Sequence, residues 1–152
     1  MKTLIIGANG FTGRRILQHL SRQGKYELAG CSLHKDILPG DNYRFVQADI
    51  NDHPAIDRLI ADVRPDVVIN GSALSVPDYC ESHHEEAYAA NVLAVENIAR
   101  CCERTGCRFI HLSTDFVFDG KKNGLYTETD TPVPVNYYGI SKYQGELAVA
   151  AS

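Results

Sequence analysis

The sequence predicts an α/β protein built on a doubly wound, parallel β-sheet. Three observations point to this fold class: short apolar runs alternate with amphipathic stretches, the runs are apolar throughout, and a glycine-rich turn joins the first run to the first amphipathic stretch. Strands buried on both faces have this continuous apolar character, and their alternation with helices favours a parallel sheet covered on both sides. A chain of 152 residues, 44% of them hydrophobic, can form one domain of this kind.

The apolar runs and amphipathic stretches place each element. Strands are predicted at residues 3–7, 26–32, 43–50, 66–71 and 108–115. The first helix has an apolar face at helical spacing and should end at Gly24. The second should be capped by Asp52 and carry Pro54 in its first turn. A long helix follows over 78–105, in one or two pieces, and a last helix occupies 137–151 after a polar, proline-rich loop.

Charge and composition exclude other classes of protein. A net charge of −4 without blocks of like charge argues against nucleic acid as the partner. No apolar run approaches the roughly 18 residues that a membrane span needs, and the apolar start runs into a turn, unlike a signal peptide. The five cysteines lack paired metal-binding spacing, so we expect reduced thiols, no metal site and a cytoplasmic location.

A GxxGxxG pattern formed by Gly7, Gly10 and Gly13 follows the first strand and opens the first helix. Glycines here allow a tight turn and let backbone N–H groups approach a pyrophosphate, to which the helix N-terminus adds partial positive charge. The strand–turn–helix context favours a dinucleotide site over a purely structural turn. These features together predict a Rossmann, NAD(P)-binding fold.

Polar and small residues close the other strands, at the edge where such sheets bind ligands. Ser32 ends the second strand, where NAD-binding folds usually carry an acidic residue. His34 and Lys35 follow it and would attract a 2′-phosphate, which favours NADPH, whereas Asp36 leaves NADH open.

Three further strand ends offer ligand contacts, each with a structural alternative. Asp49 could accept a hydrogen bond from an adenine amino group, with Ile50 beside the ring, or could cap the next helix. The small residues 70–73 could let a cofactor lie on the backbone or could form a tight turn. The hydroxyls within 113–115 could donate to a substrate carbonyl, although strand-end turns also favour such residues.

Tyr138 and Lys142 lie four residues apart in the last predicted helix, so their side chains should share one face. A neighbouring ammonium favours phenolate and should lower the pKa of the Tyr138 phenol toward neutrality, making it a proton donor to a carbonyl oxygen. Tyr137 and Tyr143 would point elsewhere. The alternative is an amphipathic helix with a solvated lysine.

Several motifs, in their order, resemble the extended short-chain dehydrogenase/reductases, and within them the dTDP-4-dehydrorhamnose reductases. They are GANGFTG, RPDVVINGSA, DYCE with EEAYAANVLAVENIA, HLSTDFVFDG and YTETDTPVPVNYYGISKYQGE. The resemblance implies reduction of the 4-keto group of a dTDP-6-deoxyhexose by NADPH or NADH, in dTDP-rhamnose biosynthesis for cell-envelope polysaccharide.

The resemblance also assigns roles by position. It implies that Thr114 is the catalytic hydroxyl, Tyr138 the proton donor and Lys142 its partner, with the last two also near the cofactor. The other implied cofactor contacts are Gly7, Gly10, Phe11, Thr12 and Gly13 at the phosphates, Asp49 and Ile50 at the adenine, Ala73, Leu74 and Ser75 in mid-cleft, and the helix residue Asn91. On residue type alone, Asn91 is better explained as a solvated helix position.

The chain departs from the family pattern in three ways. Ser32 stands where an acidic ribose ligand is expected, and 70–73 differs from the usual alanine run. The last helix ends without a cap after only five predicted strands, whereas the full doubly wound form has six or more. We therefore expect residues 1–152 to be the NAD(P)-binding, N-terminal part of a longer reductase whose sugar-binding part lies beyond them.

Two alternatives stay open at this point. The regulatory β subunit of methionine adenosyltransferase resembles the same family, so the protein could be a non-catalytic, dinucleotide-binding subunit. A different keto sugar nucleotide could also be the substrate. Homodimerisation is open as well.

Overall fold

The carboxyl ends of five parallel strands form the edge that holds the candidate site. The structure is a computed structural model that describes residues 1–37 and 42–152. Its strands are β1 (Lys2–Ile6), β2 (Glu27–Ser32), β3 (Arg44–Gln47), β4 (Val67–Asn70) and β5 (Arg108–His111), in the order β3-β2-β1-β4-β5. The order reverses at β1, so the crevice between the ends of β1 and β4 is the switch point where such sheets bind ligands. The predicted parallel α/β fold is confirmed.

The helices follow the predicted order, with one difference. They are α1 (Phe11–Gln23), α2 (His53–Val63), α3 (Pro77–Ser82), α4 (His84–Tyr88), α5 (Ala94–Thr105) and α6 (Tyr137–Ala150). Gly24 ends α1 in a left-handed conformation, and the Asp52 side chain accepts from the Ala55 N–H at 3.0 Å, as predicted. The long helix predicted over 78–105 is broken after Ser82 and again by a π-helical turn at Ala89–Leu93.

Two apolar clusters cover opposite faces of the sheet, as a doubly wound fold requires. Leu4 and Ile6 of β1 point into one cluster, which α2 and α5 cover, whereas Ile5 points into the other, which α1 covers through Leu17. Alternate residues of a strand face opposite sides, so β1 is buried on both faces. The continuous apolar character of its sequence follows from this.

The described residues bear on three further predictions: the state of the cysteines, membrane-spanning helices and the lengths of the strands. All five cysteines are free thiols, as expected. Within 1–37 and 42–152, no helix has both the length and the apolar character needed to cross a bilayer. Strands β3 and β5 are shorter than the predicted 43–50 and 108–115, because the ladder pairing ends at Gln47 and His111.

The glycine turn is packed as tightly as backbone allows. Gly7 has a φ of +82°, and a Cβ there would lie 2.6 Å from the Ser72 nitrogen. A Cβ on Gly13 would lie 2.1 Å from the Gly7 carbonyl oxygen. These contacts set α1 directly behind the end of β1, with the N-terminus of the helix at the switch point.

We predict that Gly13→Ala lowers the free energy of unfolding by about 1–3 kcal/mol, because the methyl group would overlap backbone that cannot rotate away. Urea denaturation measures the change. Gly71→Ala is the matched control, since a Cβ there would meet its nearest neighbour, the Leu112 side chain, at an ordinary 3.5 Å. Equal stability of the two variants would contradict the packing described for the turn.

Candidate functional site

Two adjoining cavities of about 520 and 390 Å³ lie along the carboxyl edge of the sheet. They share Gly7, Ser32, Ser72 and Ala73 in their walls, so they form one cleft across the switch point. An elongated ligand would lie in this cleft across the ends of several strands.

The larger cavity lies toward β2 and β3. Asp49 and Ile50, predicted at the adenine, line it together with Leu74. Leu33 and Glu86 line it as well, and the sequence did not single them out. The wall is mostly apolar with a carboxylate on each side, a composition suited to a flat ring that carries amino donors.

The smaller cavity lies between the glycine turn and α6. Gly10, Phe11 and Thr12 contribute from the turn and the first residues of α1, and Ser75 contributes from the loop after β4. Gly10 is the N-cap of α1 and has no side chain, and the first turn has no acidic residue. Exposed N–H groups at a helix N-terminus favour an anion, so this end of the cleft fits a diphosphate. Gly13 lies behind it, against Gly7.

The end of β2 is organised by Asn9, from the glycine turn. Its amide nitrogen donates to the carbonyl oxygens of His34 and Lys35, at 3.1 and 2.9 Å. Its oxygen is buried and meets no hydrogen-bond partner among residues 1–37 and 42–152. The Asp36 carboxylate accepts from the Tyr43 hydroxyl at 2.7 Å. Ser32 lines both cavities beside this loop, so the predicted ribose position lies in the cleft wall.

Asn91 is fully buried and holds the loop after β4 to α6. Its side-chain oxygen accepts from the Leu74 N–H at 2.9 Å, and its nitrogen donates to the Leu74 carbonyl at 3.0 Å and to the Ser141 hydroxyl at 2.9 Å. The π-helical turn carries this residue. The described contacts make Asn91 a support for the cleft wall, and its burial excludes the solvated position that residue type alone allowed.

Helix α6 reaches the sheet edge through two glycines. A Cβ on Gly139 would lie 2.2 Å from the Phe116 carbonyl oxygen, and a Cβ on Gly145 would lie 2.4 Å from the Asn91 carbonyl oxygen. The helix therefore packs backbone against backbone at both points. This close approach carries Tyr138 and Lys142 to the smaller cavity, which both line.

Lys142 is only 2% exposed. Its amine donates to the Leu112 carbonyl oxygen at 2.7 Å and lies 3.1 Å from Nε2 of His111. Burial lowers the pKa of Lys142 to about 8, because the ammonium is removed from water, although the nearby Glu146 carboxylate raises it. Burial, followed by the charge of Lys142, lowers the pKa of His111 to about 3, so the imidazole is neutral.

Tyr138 lies between Phe116, whose ring it meets edge-on at 5.6 Å, and the side chain of Thr114. Burial raises the pKa of Tyr138, and a hydrogen bond with Thr114 acts in the opposite direction. The charges of Cys80 and Asp115 raise the pKa further. The expectation that Lys142 lowers this pKa is therefore wrong here, since the amine is directed at β5 and burial of the phenol dominates.

The neighbouring tyrosine has a packing role. The Tyr137 ring stacks on His84 with centroids 3.7 Å apart, and its backbone N–H donates to the Glu81 carboxylate at 2.6 Å. This agrees with the prediction that Tyr137 points elsewhere.

The sequence analysis did not predict that two polar residues of the site contact each other. Asn70 and His111 stand at the ends of β4 and β5, and their side chains meet at 3.2 Å. The signal that could have found them is a lone polar residue at the end of each apolar strand, because a buried polar group needs a partner. Asn70 appeared only as part of a run of small residues.

The fold and the site define a Rossmann-type domain, with a glycine turn and a Tyr–Lys helix at the carboxyl edge of a parallel sheet. The family model described as RmlD substrate binding domain matches residues 1–152. The chain belongs to this family.

Two curated relatives have names that indicate different functions, one a reductase and the other a subunit of another enzyme. The dTDP-4-dehydrorhamnose reductase of Burkholderia thailandensis is 39% identical over 99% of this chain and 46% of its own length. The methionine adenosyltransferase 2 subunit beta of Rattus norvegicus is 36% identical over 97% of this chain and 42% of its own. The chain thus spans a little under half the length of these relatives.

Solved structures agree with the fold. A hypothetical dTDP-4-dehydrorhamnose reductase from Sulfolobus tokodaii superposes with a TM-score of 0.85 at 38% identity, covering 97% of this chain and 51% of that one. The dTDP-4-dehydrorhamnose reductase of Bacillus anthracis, solved in complex with NADP, has a TM-score of 0.81 at 26% identity, covering 99% and 49%.

We predict that Asn91→Ala destabilises the protein by about 1–3 kcal/mol for each buried polar group left without a partner. The backbone amide of Leu74 should also exchange its hydrogen faster, because it loses the Asn91 oxygen. Denaturation and hydrogen exchange measure the two effects. Asn97→Ala is the control, since that half-buried amide donates to Asp57 where water can replace it. An unchanged exchange rate at Leu74 would contradict the support role.

Proposed function

We propose that the protein is an NAD(P)H-dependent sugar-nucleotide reductase that reduces the 4-keto group of a dTDP-6-deoxyhexose, as in dTDP-rhamnose biosynthesis. One observation carries the proposal: the glycine turn, Tyr138 and Lys142 line a single cleft in a chain of this family. Residues 1–152 would form its cofactor-binding part. The relatives named as reductases, and the one solved with NADP, support both the reaction and the cofactor.

Different residues of the cleft would bind different parts of the cofactor. The turn from Gly7 to Thr12 would bind the diphosphate through backbone N–H groups and the N-terminus of α1. Asp49 and Ile50 would hold the adenine, and Leu74 would contact the cofactor in mid-cleft. A bound nicotinamide would supply hydride to the carbonyl carbon. Lys142 would hold the adjoining ribose through its hydroxyl groups.

Tyr138 would give its proton to the carbonyl oxygen. A raised pKa suits this role, because the phenol remains protonated at neutral pH and can act as an acid as the oxygen gains negative charge. Thr114, whose hydroxyl donates to the Asp115 carboxylate at 3.2 Å before a substrate binds, would turn to donate to the same oxygen and stabilise that charge. The free protein would therefore already hold the phenol in the protonated state that reduction requires.

A non-catalytic, dinucleotide-binding subunit is the second candidate function. The β subunit of methionine adenosyltransferase is nearly as similar to this chain as the reductases are. The same cleft would bind the cofactor, and the Tyr138–Thr114 pair would then serve no reaction. Binding and turnover, measured together, separate the two functions.

We predict that Tyr138→Phe lowers ketone reduction by about 10²–10⁴-fold, the range for loss of a general acid, and leaves NADPH binding within error. The assay is NADPH oxidation with dTDP-4-dehydrorhamnose in the intact protein. Tyr137→Phe is the control, because its stacked ring is kept. Undiminished turnover of the Tyr138 variant would reject the role of Tyr138. Tight NADPH binding without turnover by the unmodified protein would favour the binding subunit.

We predict a preference for NADPH over NADH, because no carboxylate ends β2 and the cationic Lys35 lies nearby. Ser32→Asp should weaken NADPH binding by about tenfold or more and spare NADH, since a carboxylate repels a 2′-phosphate. Fluorescence of the bound reduced cofactor measures both affinities. Ser32→Asn is the neutral control. Equal losses for both cofactors would contradict this assignment.

A further inference from the structure

The buried amine of Lys142 has a neighbour whose hydrogen-bonding state can be worked out from the described contacts. His111 lies at the end of β5, with Nε2 facing Lys142 at 3.1 Å and Nδ1 facing the side-chain nitrogen of Asn70 at 3.2 Å. Both ring nitrogens thus face nitrogen atoms. A neutral imidazole has one N–H and one lone pair, so it can satisfy only one of these neighbours as a donor and one as an acceptor.

Asn70 decides which nitrogen carries the hydrogen. Its side-chain oxygen accepts from the backbone N–H of Ser72 at 3.0 Å and from the Ser72 hydroxyl at 2.7 Å. A backbone N–H can only donate, so this assignment of the fully buried amide is fixed, and its NH₂ group faces His111. Nδ1 of His111 must then accept, which places the ring hydrogen on Nε2, pointing at Lys142.

The Nε2–H of His111 favours one protonation state of Lys142. An uncharged amine has a lone pair that can accept this hydrogen while it donates to the Leu112 carbonyl. An ammonium has only donors, so it would meet the imidazole hydrogen with a hydrogen of its own. The lowered pKa of Lys142 has the same direction. Burial and the Ser72–Asn70–His111 chain act together against the charge.

We propose that His111, oriented by Asn70, is a positioning residue that favours the uncharged amine of Lys142 before the cofactor binds, so that in alkaline solution binding of a nicotinamide dinucleotide is accompanied by uptake of up to one proton on Lys142. The inference rests on the proposed dinucleotide site. Ribose hydroxyl oxygens would accept from the amine, and the diphosphate would add negative charge to the cleft. Both would favour ammonium once Lys142 turns from His111 to the cofactor, and the proton comes from solvent.

Of the titratable groups near the amine, Lys142 itself is the one that we expect to change charge in mildly alkaline solution. His111 and Glu146 act on the amine itself, and Asp115 and Cys80 act on Tyr138, which lines the same cavity. The pKa of Tyr138 and that of Cys80 are raised by burial, and His111 is neutral above a pH of about 3. A phosphate ester loses its second proton near pH 6. Above a pH of about 8, Lys142 is the group that changes charge.

The protonation of Lys142 determines how the affinity for the cofactor changes with pH. Below a pH of about 8 the amine is already protonated, so binding takes up little. Above it, binding takes up a proton, and the dissociation constant rises with pH by up to about tenfold per unit until the pKa of the bound state is reached. The affinity for NADPH should therefore fall on the alkaline side.

The experiment is calorimetric titration of the protein with NADPH at a pH of about 9, between the lowered and the ordinary pKa of lysine. Buffers of different ionisation enthalpy give the number of protons taken up. His111→Leu should take up fewer protons than the unmodified protein and shift the alkaline loss of affinity to higher pH, because no imidazole hydrogen opposes the ammonium, although burial of the amine remains. His111→Gln should retain both, since its amide can accept from Asn70 and donate to Lys142.

His19→Leu, on the exposed surface of α1, is the matched control and should behave as the unmodified protein. Binding without proton uptake by the unmodified protein would overturn the inference even if His111→Leu failed to fold. Unchanged or increased uptake in His111→Leu, or loss in His111→Gln, would overturn it as well. If NADPH does not bind at all, the cofactor site itself is rejected and the inference falls with it.

Discussion

The buried amine of Lys142 sets the requirements that the rest of the site meets. Lys142 is only 2% exposed, so its amine needs acceptors inside the protein, and the Leu112 carbonyl just after β5 supplies one. The glycines at 139 and 145 let α6 pack against the Phe116 and Asn91 carbonyl oxygens more closely than a side chain would allow. This close packing of α6 accounts for small residues at two points of the helix that carries Lys142.

The direction in which the Lys142 amine points also affects the pKa of Tyr138. An ammonium lowers the pKa of a phenol only when it is close and directed at it, whereas Lys142 is directed at β5. Burial then dominates, and Tyr138 keeps its proton. The Tyr–Lys spacing thus reports that both groups share a cleft without reporting how they interact. A bound dinucleotide that draws the amine toward the ribose would change that balance.

The sequence predicts the structural features that a local pattern of residues controls. It does not predict the features that depend on contacts between residues far apart in the chain. The positions of the strands along the chain, the Gly24 stop and the Asp52 cap follow from neighbours within a few positions. The π-helical turn does not, because Asn91 in it is held by Leu74 and Ser141, 17 and 50 residues away. His111 likewise acquires its role from Asn70 and Lys142, 41 and 31 residues away. The polar residue types were visible in the sequence, but their partners depend on the sheet order.

The geometry of the sheet separates cofactor preference from carbonyl chemistry. Ser32 ends β2 and His111 ends β5, with β1 and β4 between them, so three strand spacings, about 14 Å, divide the two ends of the cleft. This exceeds the distance of about 8–10 Å over which exposed charges interact at ordinary salt. A change at the β2 end should therefore alter affinity without altering the proton donor. By the same separation, a substitution at the β5 and α6 end can remove the proton donor and leave the cleft wall at the β2 end unchanged.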